Sequence, residues 1–383
     1  TVEADEGIAG SVTTSANNQG TLKIGGGTVT GTVGTLTNAL KLVDFVAGNS
    51  VLTSGVFATD FKVEAGADVT ANGLLTGKVG YAGAGTLVVN KGITGNIDFA
   101  NQDGILNIGT SGVVTGNITG PSGTINFAGV PVTGTVGTNV NPVSLVSFNG
   151  TGAFEIPAQW FSQTFNVGNS GADITDVNAL NGNVSYSAAG KFTANGAMTG
   201  NVDFKNKAGT FSLGAGKILT GGITSTGGVN GTVNLGGGDT VTGNIGNIGT
   251  LNLAAGGATA LQGTTTATSV NLAGGAQVTT TGLLSSSNPV AFSGSVTQLT
   301  LNGGASGSFS LGTDINNILT LGAGQTITGS VTSTGGGGTL NFAGAGEVTG
   351  GIGSVTNKLG QVKFSGAGAI ELDGSLFANT LVI

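Results

Sequence analysis

Three acidic residues near the single tryptophan are the side chains best suited to chemistry. Glu155, Asp173 and Asp176 lie within about twenty residues of Trp160. Two carboxylates held about 5 to 9 Å apart can cleave a glycosidic bond, and an aromatic ring beside them can hold a sugar. The alternative is that the acids are solvated on a loop and that the Trp packs as an ordinary apolar residue. We favour this alternative, since no sequence feature forces the acids together.

Two further patterns resemble known binding motifs. The run GGGD at Gly236–Asp239 resembles part of the Ca²⁺-binding nonapeptide, which needs tandem copies, whereas this run occurs once. We therefore interpret it as a glycine turn. Thr-x-Thr pairs are typical of flat ice-binding faces, but most repeats here interrupt them, and outward Thr is favoured in strands anyway. The pairs are Thr28/Thr30, Thr240/Thr242 and Thr326/Thr328.

The composition excludes several classes of site. All 11 basic residues among the 383 are Lys, the net charge is −7, and His and Cys are both absent. A chain without Arg or a basic patch is a poor nucleic-acid binder. Without His and Cys, the commonest general base and the thiolate sites are missing. We predict no catalytic, cofactor-binding or metal residue, although scattered surface carboxylates could bind Ca²⁺ weakly.

The chain is organised around one repeated phrase, best seen as GTVNLGGGDTVTGNI at Gly231–Ile245. Val233 and Leu235 alternate with polar residues, which is typical of a strand with one buried face. The Thr of the TG step recurs about every 20 residues, at Thr30, Thr76, Thr94, Thr115, Thr133, Thr199, Thr220, Thr242, Thr328 and Thr349. A period of this length predicts an all-β, right-handed parallel β-helix (β-solenoid) with about 20 residues per coil.

A longer repeat of about five coils lies over the single coil. A Gly is followed by Asn, Val and Phe at offsets of 4, 9 and 11, starting at Gly34, Gly137 and Gly353. A further copy near residue 246 has lost its Phe. In this alignment Trp160 takes the apolar position of Val56. Recurrence predicts that a set of aromatic residues faces the core: Phe45, Phe57, Phe61, Phe148, Phe161, Phe165, Phe364 and Phe377.

These repeats predict the division of the chain. Residues 1–20 are expected to form an irregular lead-in or partial cap, and residues 21–383 a single continuous β-solenoid with super-repeat copies starting near 34, 137, 246 and 353. The sequence ends in mid-repeat, so we expect that the natural protein continues past Ile383 or, as the alternative, that another subunit covers that end. No run of 18 apolar residues occurs, so no membrane-spanning helix is predicted.

The repeat style resembles a known family. The stretch VTGNIGNIGTLNLAAGGATALQGTTTATSVNLAGGAQVTTTGLL, Val241–Leu284, is similar to the repeats of the rickettsial outer-membrane protein B and surface-cell-antigen passengers, and the same style covers roughly residues 20 to 383. The resemblance implies an autotransporter passenger, exported through a C-terminal translocation domain, displayed outside a Gram-negative cell at its outer membrane, and used as a surface layer and adhesin. It implies no catalytic motif.

The sequence thus favours a non-enzymatic, extracellular surface protein that forms a coat and adheres to host cells or matrix. Self-association, as a lattice or head to tail, is expected, and nucleic acid is not. Two alternatives stay open. A self-polymerising extracellular fibre subunit would form long filaments, and a polysaccharide-acting β-helix enzyme would depend on Asp173 and Asp176.

Overall fold

A computed structural model describes residues 1–129 and 132–383. The chain divides into two units, residues 1–185 and residues 186–383, which are described in turn. Within the described residues the secondary structure is strand, turn and bend, without helix. This is the expected outcome for a chain with 76 glycines and short runs of alternating polarity, because neither supports a long helix.

The first unit is built from short strands. They are Val2–Ala4, Gly7–Ile8, Gln19–Ile24, Gly27–Val29, Leu40–Phe45, Gly48–Leu52, Val56–Val63, Ala67–Ala71, Leu75–Tyr81, Thr86–Val89, Ile93–Thr94, Ile97–Asp98, Ile105–Ile108, Val114–Thr115, Ile118–Thr119, Thr124–Phe127, Val143–Phe148, Gly152–Ile156, Phe161–Val167, Ala172–Asp176 and Leu180–Tyr186.

The second unit has the same construction. Its strands are Lys191–Ala194, Met198–Thr199, Val202–Asp203, Thr210–Leu213, Ile218–Thr220, Ile223–Thr224, Thr232–Leu235, Thr240–Val241, Ile245–Leu253, Ala258–Leu261, Thr265–Leu272, Gln277–Thr280, Leu284–Ser286, Val290–Phe292, Gln298–Leu301, Ala305–Ser306, Phe309–Ser310, Ile318–Leu321, Gln325–Thr328, Val331–Thr332, Thr339–Phe342, Gly346–Val348, Leu359–Phe364, Ile370–Leu372 and Ala378–Val382.

The strands stack in parallel ladders with the predicted period. In the first unit Leu87 pairs with Leu106, which pairs with Ile125, so one turn takes 19 residues. In the second unit Val233 pairs with Leu251 in the same way. The chain is a β-solenoid of about 20 turns, which confirms the predicted fold class. Its handedness stays a prediction.

The core of each unit is the inner side of these ladders. Along Thr232–Leu235 the inward residues Val233 and Leu235 are buried, while Asn234 is half-buried on the outer side. The same alternation runs through Thr124–Phe127, where Ile125 and Phe127 are buried. Burial of such side chains supplies about 1.5 to 3 kcal/mol each and is the main force that holds one coil on the next.

The recurring TGN phrase forms a corner of the coil. Gly221 has a φ of 151°, and a Cβ there would meet the Gly200 carbonyl of the preceding coil, so only Gly fits. The Asn201 side chain accepts a hydrogen bond from the Gly222 N–H at 2.8 Å. The Thr242 hydroxyl accepts one from the Gly221 N–H at 3.1 Å. Each residue of the phrase therefore joins neighbouring coils.

The super-repeat is visible as repeated local geometry. The rings of Tyr81 and Phe99 stack with centroids 4.7 Å apart at 28°, and Tyr186 and Phe204, 105 residues later in the chain, stack with the same values. Burial raises the pKa of both Tyr hydroxyls. The Tyr81 hydroxyl donates to the Ile105 carbonyl at 3.0 Å. Residues that are equivalent in the super-repeat thus have the same packing role in both copies.

The predicted inward aromatic set is right for Phe45, Phe61, Phe148 and Phe165, which are fully buried. It is wrong for the residues that precede Phe61 and Phe165 by four positions. Phe57 and Phe161 are half-buried and lie on the outer side of their strands. A register irregularity between Phe57 and Asp60 reverses the alternation in the first strand, and the burial of both Ser162 and Phe165 shows the same reversal in the second. Phe364 is half-buried but pairs with the buried Phe342 and stacks on it with ring centroids 5.3 Å apart, so it faces inward as predicted. Phe377 is half-buried.

Pairing begins early in the first unit. Val2–Ala4 pairs in parallel with Leu22–Ile24, and Gly7–Ile8 pairs with Thr28–Val29. Ladder strands therefore occur within residues 1–20, where the sequence indicated an irregular lead-in or partial cap.

Candidate functional site

The three acids near Trp160 face different sides of the coil. Asp173 and Asp176 are three residues apart in Ala172–Asp176, so they point to opposite faces of the strand. Asp176 is buried in the interior, whereas Glu155 is exposed and Asp173 half-buried on the outer side. A carboxylate pair for glycoside cleavage must face one sugar. Glu155 and Asp173 lie on the outer side of two paired strands, with Asp173 opposite Ala153 and Glu155 opposite Thr175, but the inward Asp176 and the buried Trp160 do not share that surface.

Trp160 is a core residue. Its side chain is fully buried, and its ring stacks on Phe127 with centroids 5.7 Å apart. The indole N–H donates to the Gly134 carbonyl at 3.2 Å. The indole is therefore occupied by packing and by its hydrogen bond, as the packing interpretation of the sequence expected.

Asp176 is an acid in an apolar interior. Burial raises its pKa to about 7, and a weak hydrogen bond from the Asn178 N–H at 3.4 Å only partly opposes this. The residue takes the place held by Ala71 and Thr280 in related copies of the repeat. All three are buried, so the position is inward in each copy. Asp176 thus affects the free energy of unfolding and the way it depends on pH.

The GGGD run is a turn, as expected, and its acid also points inward. Asp239 is buried, and its Oδ1 accepts the Lys217 N–H at 2.9 Å. Burial raises its pKa to about 6, while backbone N–H groups of Lys217, Gly236 and Gly216 favour the charged form. The carboxylate therefore ties two stacked turns together. The described residues hold no group of three side chains suited to a metal, and weak surface Ca²⁺ binding stays a prediction.

A small loop recurs at the start of three super-repeat copies. Its first residue is Gly34, Gly137 or Gly353, with φ of 65°, 65° and 67°. The next residue is Thr35, Thr138 or Ser354. Its N–H donates to the carbonyl of an Asn three residues later at 2.9 to 3.0 Å, and its hydroxyl accepts that Asn N–H at 3.0 Å. Three segments from two units thus form the same hydrogen-bonded loop.

Each of these loops carries an exposed aliphatic side chain. Leu36 is 78% exposed, Val140 is 86% exposed and Val355 is 72% exposed. We call these three side chains the loop tips. With Ile383 they are the most exposed large apolar side chains in the described part of the chain. Single exposed apolar side chains are common on protein surfaces.

The copy near residue 246 has no such loop. The strand Ile245–Leu253 runs from Gly246 directly to Leu251, five residues, where the first copy needs nine residues from Gly34 to Val43. The pairing of this strand with the next coil shifts its register by one residue between Ile245 and Ile248. The loop is therefore dispensable for coil stacking. Stacking alone does not explain why the other three copies have it.

Stacked asparagines form a ladder on the outer side of the second unit. Asn252 donates from its side chain to Asn234 at 2.8 Å, and Asn271 donates to Asn252 at 2.9 Å. Beside the ladder is a groove of about 370 Å³, which we call the unit 2 groove. Its lining is Asn234, Leu235, Asn252, Leu253, Ala254, Asn271, Leu272, Ala273 and Ser293. These residues are all uncharged.

A column of alternating charges runs along one ladder of the first unit. Glu3, Lys23, Asp44 and Lys62 occupy successive positions of one ladder, so that opposite charges neighbour each other. Lys23 and Glu3 form an ion pair at 3.3 Å. The hydrogen bond to Glu64 is the main reason why the pKa of Lys62 is raised. Such a column aligns coils and leaves little net charge for steering a charged ligand.

The sequence did not reveal the loop tips or the unit 2 groove. The Gly and Asn that build the loop were recognised, and the aliphatic residue between them was the available signal. Its exposure could not be read from alternation, because a loop has no fixed period. The groove depends on the side chains of successive coils, which only the register brings together.

The comparisons with known proteins follow the same repeats. Outer membrane protein B from Rickettsia japonica is 27% identical over 298 residues, which are 76% of this chain and 16% of that protein. Outer membrane protein B from Rickettsia conorii is 30% identical over 259 residues, 65% of this chain and 14% of that protein. The protein of that name from Rickettsia rickettsii is 30% identical over 189 residues, 47% of this chain and 11% of that protein.

The chain thus spans less than a fifth of the length of these curated relatives. No family model matches it, and no solved structure gives a significant match. Among residues 1–129 and 132–383 there is no helix with the length and apolar character needed to cross a membrane. The three similarities, carried by repeats that stack as a β-solenoid, make this chain a distant relative of the rickettsial Outer membrane protein B.

Proposed function

We propose that this chain is a surface-exposed passenger segment of a Gram-negative bacterium, that it contributes to a coat at the outer membrane, and that it adheres to host cells or matrix. The proposal rests on one combined observation: the chain forms stacked β-coils, and it is similar to proteins named Outer membrane protein B. The inward Asp176 and the buried Trp160 support a role as a scaffold rather than an enzyme.

The structure supports this role in physical terms. Backbone groups are satisfied along the ladders, so few are open to proteases or unfolding. The outer side is mainly Thr, Ser, Asn and Gly, which are hydrated and uncharged. Such a surface suits broad, weak contacts between neighbouring molecules. The fibre-subunit alternative rests on the same ladders and differs only in how copies associate.

The adhesive role is tested with beads that carry the purified chain. Coated beads are expected to bind cultured host cells or immobilised matrix several-fold better than beads coated with an unrelated protein of similar charge. Equal binding of both kinds of bead would remove adhesion from the proposal.

The coat is tested separately by electron cryotomography of bacteria with and without the coding sequence. A continuous outer layer that disappears with the chain is expected. Long filaments in place of a layer would favour the fibre subunit.

A further inference from the structure

The copy of the super-repeat that starts near residue 246 has a poorer core than the other copies. We propose that its coils, residues 245–284, open before the rest of the second unit and leave the coils on either side folded. We call these residues the weak segment. It acts as a hinge, at which the second unit bends or opens without losing its remaining structure.

The weak segment has no aromatic side chain. Between Phe211 and Phe292 the sequence contains no Phe, Tyr or Trp. Phe61 and Phe165 are fully buried in their copies of the super-repeat, and the equivalent residue here is the smaller Val270. A Val buries less apolar area than a Phe, and buried apolar area is the main source of cohesion between coils. The coils of this segment are therefore held together less strongly from inside.

Two buried hydroxyl groups of the weak segment have no hydrogen-bond partner. Thr265 takes the inward position of Val56 and Trp160, and its Oγ1 is unpaired, as is the Oγ1 of the buried Thr280. A hydroxyl that leaves water without gaining a partner destabilises the fold. Among residues 186–383, the one other buried side-chain atom of this kind is Oδ2 of Asp239, which lies just before the segment.

Backbone pairing does not compensate for this core. Ile245–Leu253 and Thr265–Leu272 are the longest strands of the second unit, but their register shifts by one residue between Ile245 and Ile248. At such a shift two residues oppose one, and the ladder is locally interrupted. The side-chain bond from Asn271 to Asn252 lies on the outer side, where water competes for it. The deficit inside the coils therefore remains.

The coils on either side of the weak segment have aromatic cores. Phe192 and Phe211 stack before it with ring centroids 6.5 Å apart, and Phe342 and Phe364 stack after it at 5.3 Å. In a solenoid each coil contacts only its neighbours, so a weak segment separates two blocks that keep their own contacts. Opening in separate cooperative units of this kind occurs in native proteins.

Hydrogen exchange of the native chain, followed by mass spectrometry, tests where the second unit opens. Amides of Thr265–Leu272 are expected to exchange about tenfold faster than those of Thr210–Leu213 and Thr339–Phe342, after correction for intrinsic rates. Exchange in Thr265–Leu272 that is equal to or slower than in the two flanking strands would overturn the inference.

The cause is tested with a double variant, Thr265→Val with Thr280→Val, which removes both unpaired hydroxyls at nearly unchanged volume. Its exchange in the weak segment should be about tenfold slower than that of the unchanged chain. Thr259→Val is the matched control, because this buried hydroxyl accepts the Gly238 N–H at 3.2 Å and donates to the Gly236 carbonyl at 3.3 Å. The control should exchange faster. A double variant with unchanged or faster exchange would contradict the inference.

A second measurement uses the absence of Cys from the chain. Val270→Cys places one thiol inside the weak segment, and Val331→Cys places one in a coil that follows it. Both valines are buried, so either thiol reacts only when its coil opens. Val270→Cys is expected to react with a soluble thiol reagent about tenfold faster than Val331→Cys. Equal rates would show that the second unit opens as a whole and would overturn the inference.

Discussion

The role of an individual side chain in this protein depends on whether it points into the core or out to solvent. The sequence indicates that role only when the orientation is known. Asp176 resembles half of a catalytic pair in the sequence, yet it faces the interior beside apolar neighbours. The offset of three between Asp173 and Asp176 already placed them on opposite faces of any strand. Trp160 likewise packs on Phe127 and binds Gly134, so it is unavailable as a sugar platform.

The raised pKa of Asp176 predicts a pH-dependent stability. The pKa is about 7 in the folded state against about 3.9 in an unfolded chain, so the fold holds the proton more tightly. The folded state is therefore favoured at low pH, and this advantage is lost as pH rises from about 4 through 7. Asp176→Asn should flatten the pH dependence of the urea midpoint between pH 5 and pH 8.

The matched control for this prediction is Asp173→Asn, which changes an acid on the outer side of the same strand. Its urea midpoint should vary with pH as that of the unchanged chain does. Buried Asp239, with a pKa of about 6, adds a similar dependence that remains in both variants. If the urea midpoints of Asp176→Asn and of the unchanged chain vary with pH in the same way, the buried carboxyl of Asp176 does not contribute to the pH dependence of stability.

The corner glycine gives a second prediction at the level of single residues. Gly221→Ala should destabilise the chain by about 3 kcal/mol, since φ is 151° and the added Cβ meets the Gly200 carbonyl. Gly246→Ala is the control, because nothing lies within 4 Å of a Cβ there. Chemical denaturation that gave equal losses for the two variants would show that the corner does not require Gly.

The element that carries the fold is the ladder between coils, and it is made by side chains as well as by the backbone. Asparagines one turn apart donate to each other in both units, as Asn126 does to Asn107 at 2.8 Å and Asn252 does to Asn234 at 2.8 Å. The oppositely charged column from Glu3 to Lys62 aligns the first coils in the same manner.

The position of an Asn in its ladder predicts its contribution to stability. Asn252→Ala should cost about 1 to 2 kcal/mol, because the residue both donates to Asn234 and accepts from Asn271. Asn271→Ala removes only the bond to Asn252 and should cost about half as much. Urea denaturation of the two variants measures the difference. A larger loss for Asn271→Ala would show that the ladder is not the source of the effect.

At the scale of the whole molecule, the repeat predicted the architecture and the resemblance predicted the relatives. Strand phase, corner glycines and the five-coil super-repeat follow from spacing, because each coil must present the same face to its neighbour. Phe57 was misplaced because a register irregularity reverses the alternation in its strand, and Phe161 was misplaced because the alternation also reverses within Phe161–Val167. The loop tips and the unit 2 groove could not be predicted from the sequence, because the exposure of a loop residue and the side chains that line a groove depend on the neighbouring coils.

The proposed surface role predicts which residues can be reached from outside an intact bacterium. In the full protein, Val229→Cys lies on an exposed loop, whereas Val241→Cys lies in the core. The absence of natural Cys makes either thiol the only target within this chain.

The most direct measurement treats intact bacteria that produce each variant with a membrane-impermeant maleimide. The account predicts that Val229→Cys is labelled on intact cells and that Val241→Cys is labelled only after denaturation. Labelling of Val229→Cys only after the cells are broken would place the chain inside the cell and contradict the surface role.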